Sequence, residues 1–321
     1  VRALITGIGG FAGSHLAEHL VAEGWQVCGT MLLGKDKPLP GELARACTLT
    51  PCDITKPGSI EPILSEADPE VIFHLAAQSS VAASWESVEE TFQVNVMGTL
   101  ALLEAVRHTA PGTQVVLISS CEAYGASLAH GPASEEVPLE PLTPYAASKA
   151  CTDWVAGQYV SPLGLDIRRV RPFNHIGPRQ QPPFVAASFA KQIAEIEAGL
   201  QEPVLRTGSM EVRRDFTDVR DVVHAYRLVA IKGKPGSVYN VCSGQARSIG
   251  ELLEGLLDHA TVSIKVSRDP ALLRPVDLPI MVGDASRLRE ETGWGPIISW
   301  EQTLVDLLDY WRKAITQDPD A

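Results

Sequence analysis

The chain has 321 residues, 45% of them hydrophobic and 21% charged, with a formal net charge of −12. That length buries a large core in one or two lobes, and the composition is that of an ordinary globular protein. The acidic balance argues against a nucleic-acid partner, which asks for a basic face, but leaves room for a nucleotide held by a few buried arginines.

Arg2–Thr6 is predicted to be a buried strand, followed at once by Gly7-Ile8-Gly9-Gly10-Phe11-Ala12-Gly13. Leu16, Leu20 and Val21 then fall at helical spacing. A strand, a glycine turn and a helix form the context in which a glycine pattern points to a dinucleotide. The glycines let the backbone approach a pyrophosphate, and the helix start offers it oriented N–H groups. Further strands are predicted at Trp25–Thr30, Ala46–Cys52, Val71–Leu75, Gln114–Ser119 and Leu165–Val170, with helical pattern between them. Such alternation predicts a parallel sheet covered on both faces. Ligands of these sheets sit beyond the carboxyl ends of the strands, where Gly7, Thr30, Asp53, Ala76, Ser120 and Asn174 fall.

After about residue 172 the pattern loosens through Pro172, Pro178, Pro182 and Pro183. A helix over Phe184–Gly199 and short strands at Pro203–Ser209 and Val238–Val241 are predicted there. This divides the chain into a dinucleotide domain over 1–172, with strands returning to it from about 211–243, and a smaller lobe over 173–321. The cysteines at 28, 47, 52, 121, 151 and 242 show neither a metal spacing nor a disulfide framework, so no metal is expected and reduced thiols are. No apolar stretch is long enough for a membrane span, and the first strand leaves no space for a signal peptide. The cytoplasm is therefore the expected location.

Tyr145 and Lys149 lie four residues apart on a predicted helix, hence on one face. An adjacent ammonium stabilises phenolate, so the tyrosine pKa is expected to fall toward working pH. A phenol so tuned exchanges a proton with an alcohol or ketone. Ser120, at the end of the fifth strand, is placed to hold the substrate oxygen. His74 reads as a satisfied strand-end histidine and Tyr124 as packing.

Together, Gly7–Gly13, Asp53-Ile54, His74-Leu75-Ala76-Ala77, Ser120, and Tyr145 with Lys149 resemble the extended short-chain dehydrogenase/reductases, over essentially the whole chain. The resemblance implies a Rossmann-type, doubly wound α/β sheet with a smaller C-terminal α/β substrate-binding lobe. It implies Ser120, Tyr145 and Lys149 as catalytic residues, Lys149 bridging the nicotinamide ribose and the tyrosine. The cofactor set it implies is Gly7, Gly10, Phe11, Gly13, Thr30, Asp53, Ile54, Leu75, Ala76 and Ala77, with Asp53 and Ile54 bordering the adenine.

Arg171-Pro-Phe-Asn174-His-Ile-Gly-Pro178-Arg179, Arg213-Arg214-Asp-Phe-Thr-Asp218 and Arg274-Pro-Val-Asp277 resemble the nucleotide-sugar branch of that family. There the resemblance implies Asn174, Arg214 and Arg274 on the diphosphate and Asp277 near the nucleotide ribose, with Arg179 and Val185 at the base or phosphates. Guanidinium forks suit phosphate oxygens, and a carboxylate suits paired ribose hydroxyls. The same segments, with Phe189-Ala-Lys-Gln-Ile and Tyr239-Asn-Val-Cys-Ser-Gly, are most similar to GDP-sugar enzymes. Among these the GDP-4-keto-6-deoxy-D-mannose reductases come first and the GDP-mannose 4,6-dehydratases next.

Related dehydratases carry Thr, then Ser or Asp, then Glu, where this chain has Ser120, Cys121 and Glu122. Elimination demands an acid and a base beyond those of redox chemistry, and a cysteine is a poor proton donor to a leaving hydroxyl. Glu122 remains as a substrate contact or a base. The expected reaction is NAD(P)H-dependent reduction of the C4 ketone of GDP-4-keto-6-deoxy-D-mannose to GDP-D-rhamnose. The alternatives are GDP-mannose 4,6-dehydration, or another NDP-sugar 4-epimerase or dehydratase. A nucleotide-sensing regulator on this fold would commonly lose the tyrosine or lysine, and both are present. Thr30-Met31-Leu32 closes the second strand without a carboxylate or an arginine, with Lys35 and Lys37 beyond. NADP(H) is accordingly the expected cofactor, with NAD(H) as the second choice. Helices over about 91–108 and 145–160 form a dimer seam in family members, implying a homodimer.

Overall fold

The structure is a computed structural model that describes residues 1–273 and 278–317. Its main sheet has seven parallel strands: β1 (Arg2–Thr6), β2 (Gln26–Met31), β3 (Cys47–Pro51), β4 (Val71–His74), β5 (Gln114–Ile118), β6 (Ile167–Pro172) and, returning late, β10 (Val238–Val241). Their order, β10-β6-β5-β4-β1-β2-β3, reverses direction between β1 and β4. That reversal opens a crevice above the strand ends, the place where a doubly wound sheet binds its ligand. Buried on both faces, the strands are nearly continuous in Val, Ile and Leu, with Leu4, Ile5, Ile72, Phe73, Val115 and Val116 wholly inside.

The smaller lobe begins at β7 (Asn174–Ile176) and contains β8 (Val204–Thr207), β9 (Arg213–Asp218), β11 (Ala246–Ser248), β12 (Lys265–Arg268) and β13 (Ile280–Met281). It has its own core, in which Phe189, Ile193, Phe216, Leu252, Leu308 and Trp311 join helices Val185–Glu197, Ile249–Leu257 and Trp300–Gln317. The observed topology sharpens the expectation for residues 211–243. Val238–Val241 does return, pairing parallel with β6. Arg213–Asp218 does not: it pairs with β7, β11 and β13 in the lobe. The chain goes back to the main sheet only through helix Val219–Lys232, capped by the Asp218 carboxylate, which accepts from the Arg220 N–H at 2.8 Å.

The sixth strand starts two residues later than its apolar run. Leu165 is taken up in closing the preceding helix, its N–H donating to the Tyr159 carbonyl at 3.0 Å, and the strand then runs on to Pro172. Helix Pro144–Val160, which carries Tyr145 and Lys149, starts with Thr143 accepting from the Ala146 N–H at 3.0 Å and with proline in the first turn. Asp153 on that helix takes Arg171 of β6 in a two-pronged pair at 2.7 and 3.0 Å, and Arg169 at 3.0 Å. The helix that carries Tyr145 and Lys149 is thereby fastened to the sheet at a wholly buried carboxylate.

Candidate active site

At the end of β1 the chain turns through Gly7 at φ 72°, and the N–H groups of Gly7 and Ile8 both donate to the Thr30 carbonyl at 3.1 Å. A Cβ on Gly7 would lie 2.9 Å from the Ala76 backbone, and one on Gly13 only 2.3 Å from the Gly7 carbonyl oxygen. Only glycine lets the turn, the β4 end and the first helix meet so closely. Helix Phe11–Ala22 begins at Gly10 with no side-chain cap, so its first N–H groups point into the cleft without an intrahelical partner. This cradle fits a dinucleotide pyrophosphate: it offers donors, positive dipole and no obstructing side chain.

One continuous cleft is lined by Gly7, Gly10, Phe11 and Gly13, by Thr30, Asp53 and Ile54, and by Leu75, Ala76 and Ala77. Ser120, Tyr145 and Lys149 stand at its other end. The six strand-end residues read from the sequence, Gly7, Thr30, Asp53, Ala76, Ser120 and Asn174, all face this space. Asp53 accepts from the Thr55 N–H at 3.0 Å and from its hydroxyl at 2.6 Å, which holds the carboxyl below its ordinary pKa. His74, just beneath the cleft, is buried and its pKa is lowered to about 3 by desolvation.

Ser120, Tyr145 and Lys149 are all buried, and their electrostatics depart from the expectation. Tyr145 is shifted upward, not downward, because desolvation of the phenolate dominates; a hydrogen bond with Ser120 offsets part of it. The Lys149 ammonium does not bond to the phenol but donates to the Ile118 carbonyl at 2.9 Å. Burial lowers Lys149 itself to about 8. Ser120 also accepts the Glu122 N–H at 3.2 Å, ordering the turn Cys121–Tyr124. Cys121 lies in the wall, 3% exposed, and burial pushes its thiol well above the ordinary value.

On the substrate side, Glu122, Asn174 and Val185 line the cleft. The Asn174 Oδ1 is buried there without a hydrogen-bond partner among the described residues. Helix Val185–Glu197 starts at Phe184 without a side-chain cap, so a second set of helix-start donors opens on the same space. Arg179 is not brought to the cleft. Its guanidinium is taken by His15 at 2.7 Å and by Glu18, both on the first helix. Arg214 is buried behind the wall, donating to the Arg213 and Leu278 carbonyls at 2.8 and 2.9 Å and near enough to Cys121 to favour its thiolate. Arg274 and Asp277 lie outside the described residues.

The GDP-mannose 4,6-dehydratase family model matches residues 4–307. The chain belongs to that family. As a member it is an extended short-chain dehydrogenase/reductase, 36% identical over 320 residues to the GDP-6-deoxy-D-mannose reductase of Pseudomonas aeruginosa, with 99% of each chain covered. The solved structure of RMD from Pseudomonas aeruginosa complexed with NADPH superposes with a TM-score of 0.84 at 35% identity, covering 98% of this chain and all of that one. The UDP-glucose 4-epimerase of Thermus thermophilus in complex with NAD superposes with a TM-score of 0.86 at 31% identity, again over 98% of this chain and all of that one.

Several cleft residues of this family member escaped the sequence reading. Asp36, Gln180, Phe184, Phe216 and Tyr226 line the cleft, and His175 stacks parallel on Phe11 at 5.7 Å. The Tyr226 hydroxyl is buried near Tyr145 and has no hydrogen-bond partner among the described residues. Asn95 accepts the Gln78 N–H at 2.8 Å and donates to Ser148 at 2.9 Å, tying a π-helical turn, Gln93–Met97, to the catalytic helix. Such turns often mark functional sites, but their sequences carry no distinctive signal. Among the described residues no cluster of His, Cys, Asp or Glu is arranged to hold a metal, and no helix is long and apolar enough to cross a membrane.

Proposed function

We propose that this enzyme reduces the C4 ketone of GDP-4-keto-6-deoxy-D-mannose to the alcohol of GDP-D-rhamnose, using NADPH or NADH. The observation that carries this reading is the pairing of Ser120 and Tyr145 in a buried cleft with Cys121 beside them. When bound, the reduced nicotinamide supplies the hydride that C4 receives. Ser120 holds the ketone oxygen, and Tyr145 gives it the proton, so that the C=O becomes CH–OH. Burial keeps Tyr145 protonated at neutral pH, the form a reductase needs at the start. The tyrosinate left behind is stabilised by the Lys149 charge and recovers its proton from solvent.

Ketone reduction asks for no further acid, and a thiol as strongly protonated as Cys121 offers none to a leaving hydroxyl. Glu122 in the cleft, and the family to which the chain belongs, favour GDP-mannose 4,6-dehydration as the second reading. The two separate cleanly. Incubation with the 4-keto intermediate and reduced dinucleotide should yield the 6-deoxy sugar and oxidised cofactor. Loss of water from GDP-mannose with no added reductant would instead make the second reading correct.

The enzyme is further proposed to be a cytoplasmic homodimer. Its six cysteines are all free, as a reducing compartment requires. Val88, Met97 and Trp154 expose large apolar surface on the helices over 88–109 and 144–160, which suits a seam with a second copy. Trp154→Glu should convert a dimer to a monomer in sedimentation; an unchanged dimer would place the seam elsewhere.

A further inference from the structure

The end of β2 carries no acidic residue, but the loop that follows supplies one. Leu32 to Asp36 doubles back so that the Asp36 carboxylate accepts the Leu32 N–H at 2.8 Å. This carries Asp36 against the glycine turn. A Cβ on Gly9 would fall 2.8 Å from the Asp36 Cβ, so the missing side chain at position 9 is what admits the loop. Asp36 thereby lines the same end of the cleft as Thr30, Asp53 and Ile54. The two lysines beside it do not. Lys35 pairs with Glu90, its Nζ 2.9 Å from the carboxylate, on the wall of an adjoining pocket that shares Leu32, Asp53 and Thr55 with the cleft, and Lys37 is exposed. Among the described residues lining the cleft, Lys149 is the only cation, and it stands at the catalytic end.

From this arrangement we infer that Asp36 is the residue that sets dinucleotide choice, and that it favours NADH over NADPH. One carboxylate oxygen is held by the Leu32 N–H, which fixes the group and leaves the other oxygen to accept from an adenosine ribose hydroxyl. A 2′-phosphate at that place would meet the Asp36 and Asp53 carboxylates in the wall, and Lys35, which acts on Asp53 from the adjoining pocket, is already engaged by Glu90. NADPH is still accommodated, since the cleft is open to solvent there and the repulsion is screened, but at lower affinity. The inference rests on the proposed function only in taking the ligand to be a nicotinamide dinucleotide.

Direct titration of the purified enzyme with NADH and with NADPH, by calorimetry or by enhancement of reduced-nicotinamide fluorescence, tests it without turnover. The expected result is tighter binding of NADH by on the order of tenfold to a hundredfold, the range of a charge-assisted hydrogen bond gained against a repulsion avoided. Asp36→Asn keeps an oxygen for the Leu32 N–H and removes the charge, so it should weaken NADH and strengthen NADPH, closing most of that gap. A melting curve like that of the parent shows the variant to be folded. Equal or tighter NADPH binding by the parent, or a ratio unmoved in Asp36→Asn, overturns the inference and leaves the reductase reading standing. Binding of neither dinucleotide overturns both.

Discussion

The Lys149 ammonium donates to the Ile118 carbonyl at 2.9 Å, anchoring the catalytic helix to the end of β5 and not to the phenol one helical turn before it. Burial opposes the charge, and the Lys149 pKa is lowered to about 8. The lysine is thus ionised at neutral pH and loses its proton within the assay range. In the proposed mechanism its charge steadies the tyrosinate after proton transfer, so turnover should decline as pH rises through about 8. Lys149→Met should be slowed on the order of a hundredfold near neutrality and lack that alkaline limb. A parent rate that is level from pH 7 to 10 would contradict the assignment.

Tyr145→Phe removes the proton donor and little else, because the ring stays in the same buried wall. Turnover of the keto-sugar should drop by about 10²–10⁴ while dinucleotide affinity stays within a few fold. Stopped-flow and binding titrations on one preparation separate the two quantities. A variant that loses affinity and rate together would mean that the phenol binds the cofactor and does not deliver a proton.

The glycine turn and the strand-end residues were legible because each is a local device: a positive φ, a close backbone approach, or a residue that ends a buried strand. Gly7, Thr30, Asp53, Ala76 and Ser120 meet on one cleft for that reason. What stayed hidden depends on partners distant in the chain. The resemblance puts Arg179 at the nucleotide base or its phosphates, but Glu18 and His15, more than 160 residues earlier, take its guanidinium. Asp36 lies past the strand end, and nothing local says that its loop folds back on Gly9. The Tyr145 shift runs opposite to what helical spacing implies, because spacing gives the distance between two side chains but not the dielectric around them.

Asp153 should be among the most sensitive positions for stability. Its wholly buried carboxylate pairs with Arg169 and Arg171, and the Arg171 guanidinium reaches on to the Tyr124 hydroxyl at 3.0 Å. Asp153→Ala leaves two guanidinium groups without their counter-charge inside the protein, and a loss of roughly 3–5 kcal/mol is expected. Urea unfolding measures this. A loss under about 1 kcal/mol would show that the catalytic helix is held chiefly by its apolar packing.

Acid sensitivity should come from His74. Its hydrogen bonds assign the tautomer: the Thr99 hydroxyl already donates to the Asn95 carbonyl at 2.6 Å, so at 2.9 Å it accepts from His74 Nε2. His74 Nδ1 is then the acceptor of the Thr6 hydroxyl at 2.7 Å, and that same hydroxyl oxygen takes the Ala76 N–H at 3.2 Å. Protonating Nδ1 would set two donors against each other beneath the cofactor cleft, in a site where the charge is also desolvated; the folded-state pKa is accordingly near 3 against an ordinary 6.5. Between those values the unfolded chain binds the proton and the folded one does not, so stability falls as pH falls from about 6.5 toward 3. His15, lowered to about 4 by burial and by Arg179, adds to the same window. Melting temperature followed from pH 7 to 4 should therefore decline in the parent and decline less in His74→Gln, which carries no titratable group there. Superimposable pH profiles for parent and variant would remove His74 as the acid-sensitive group.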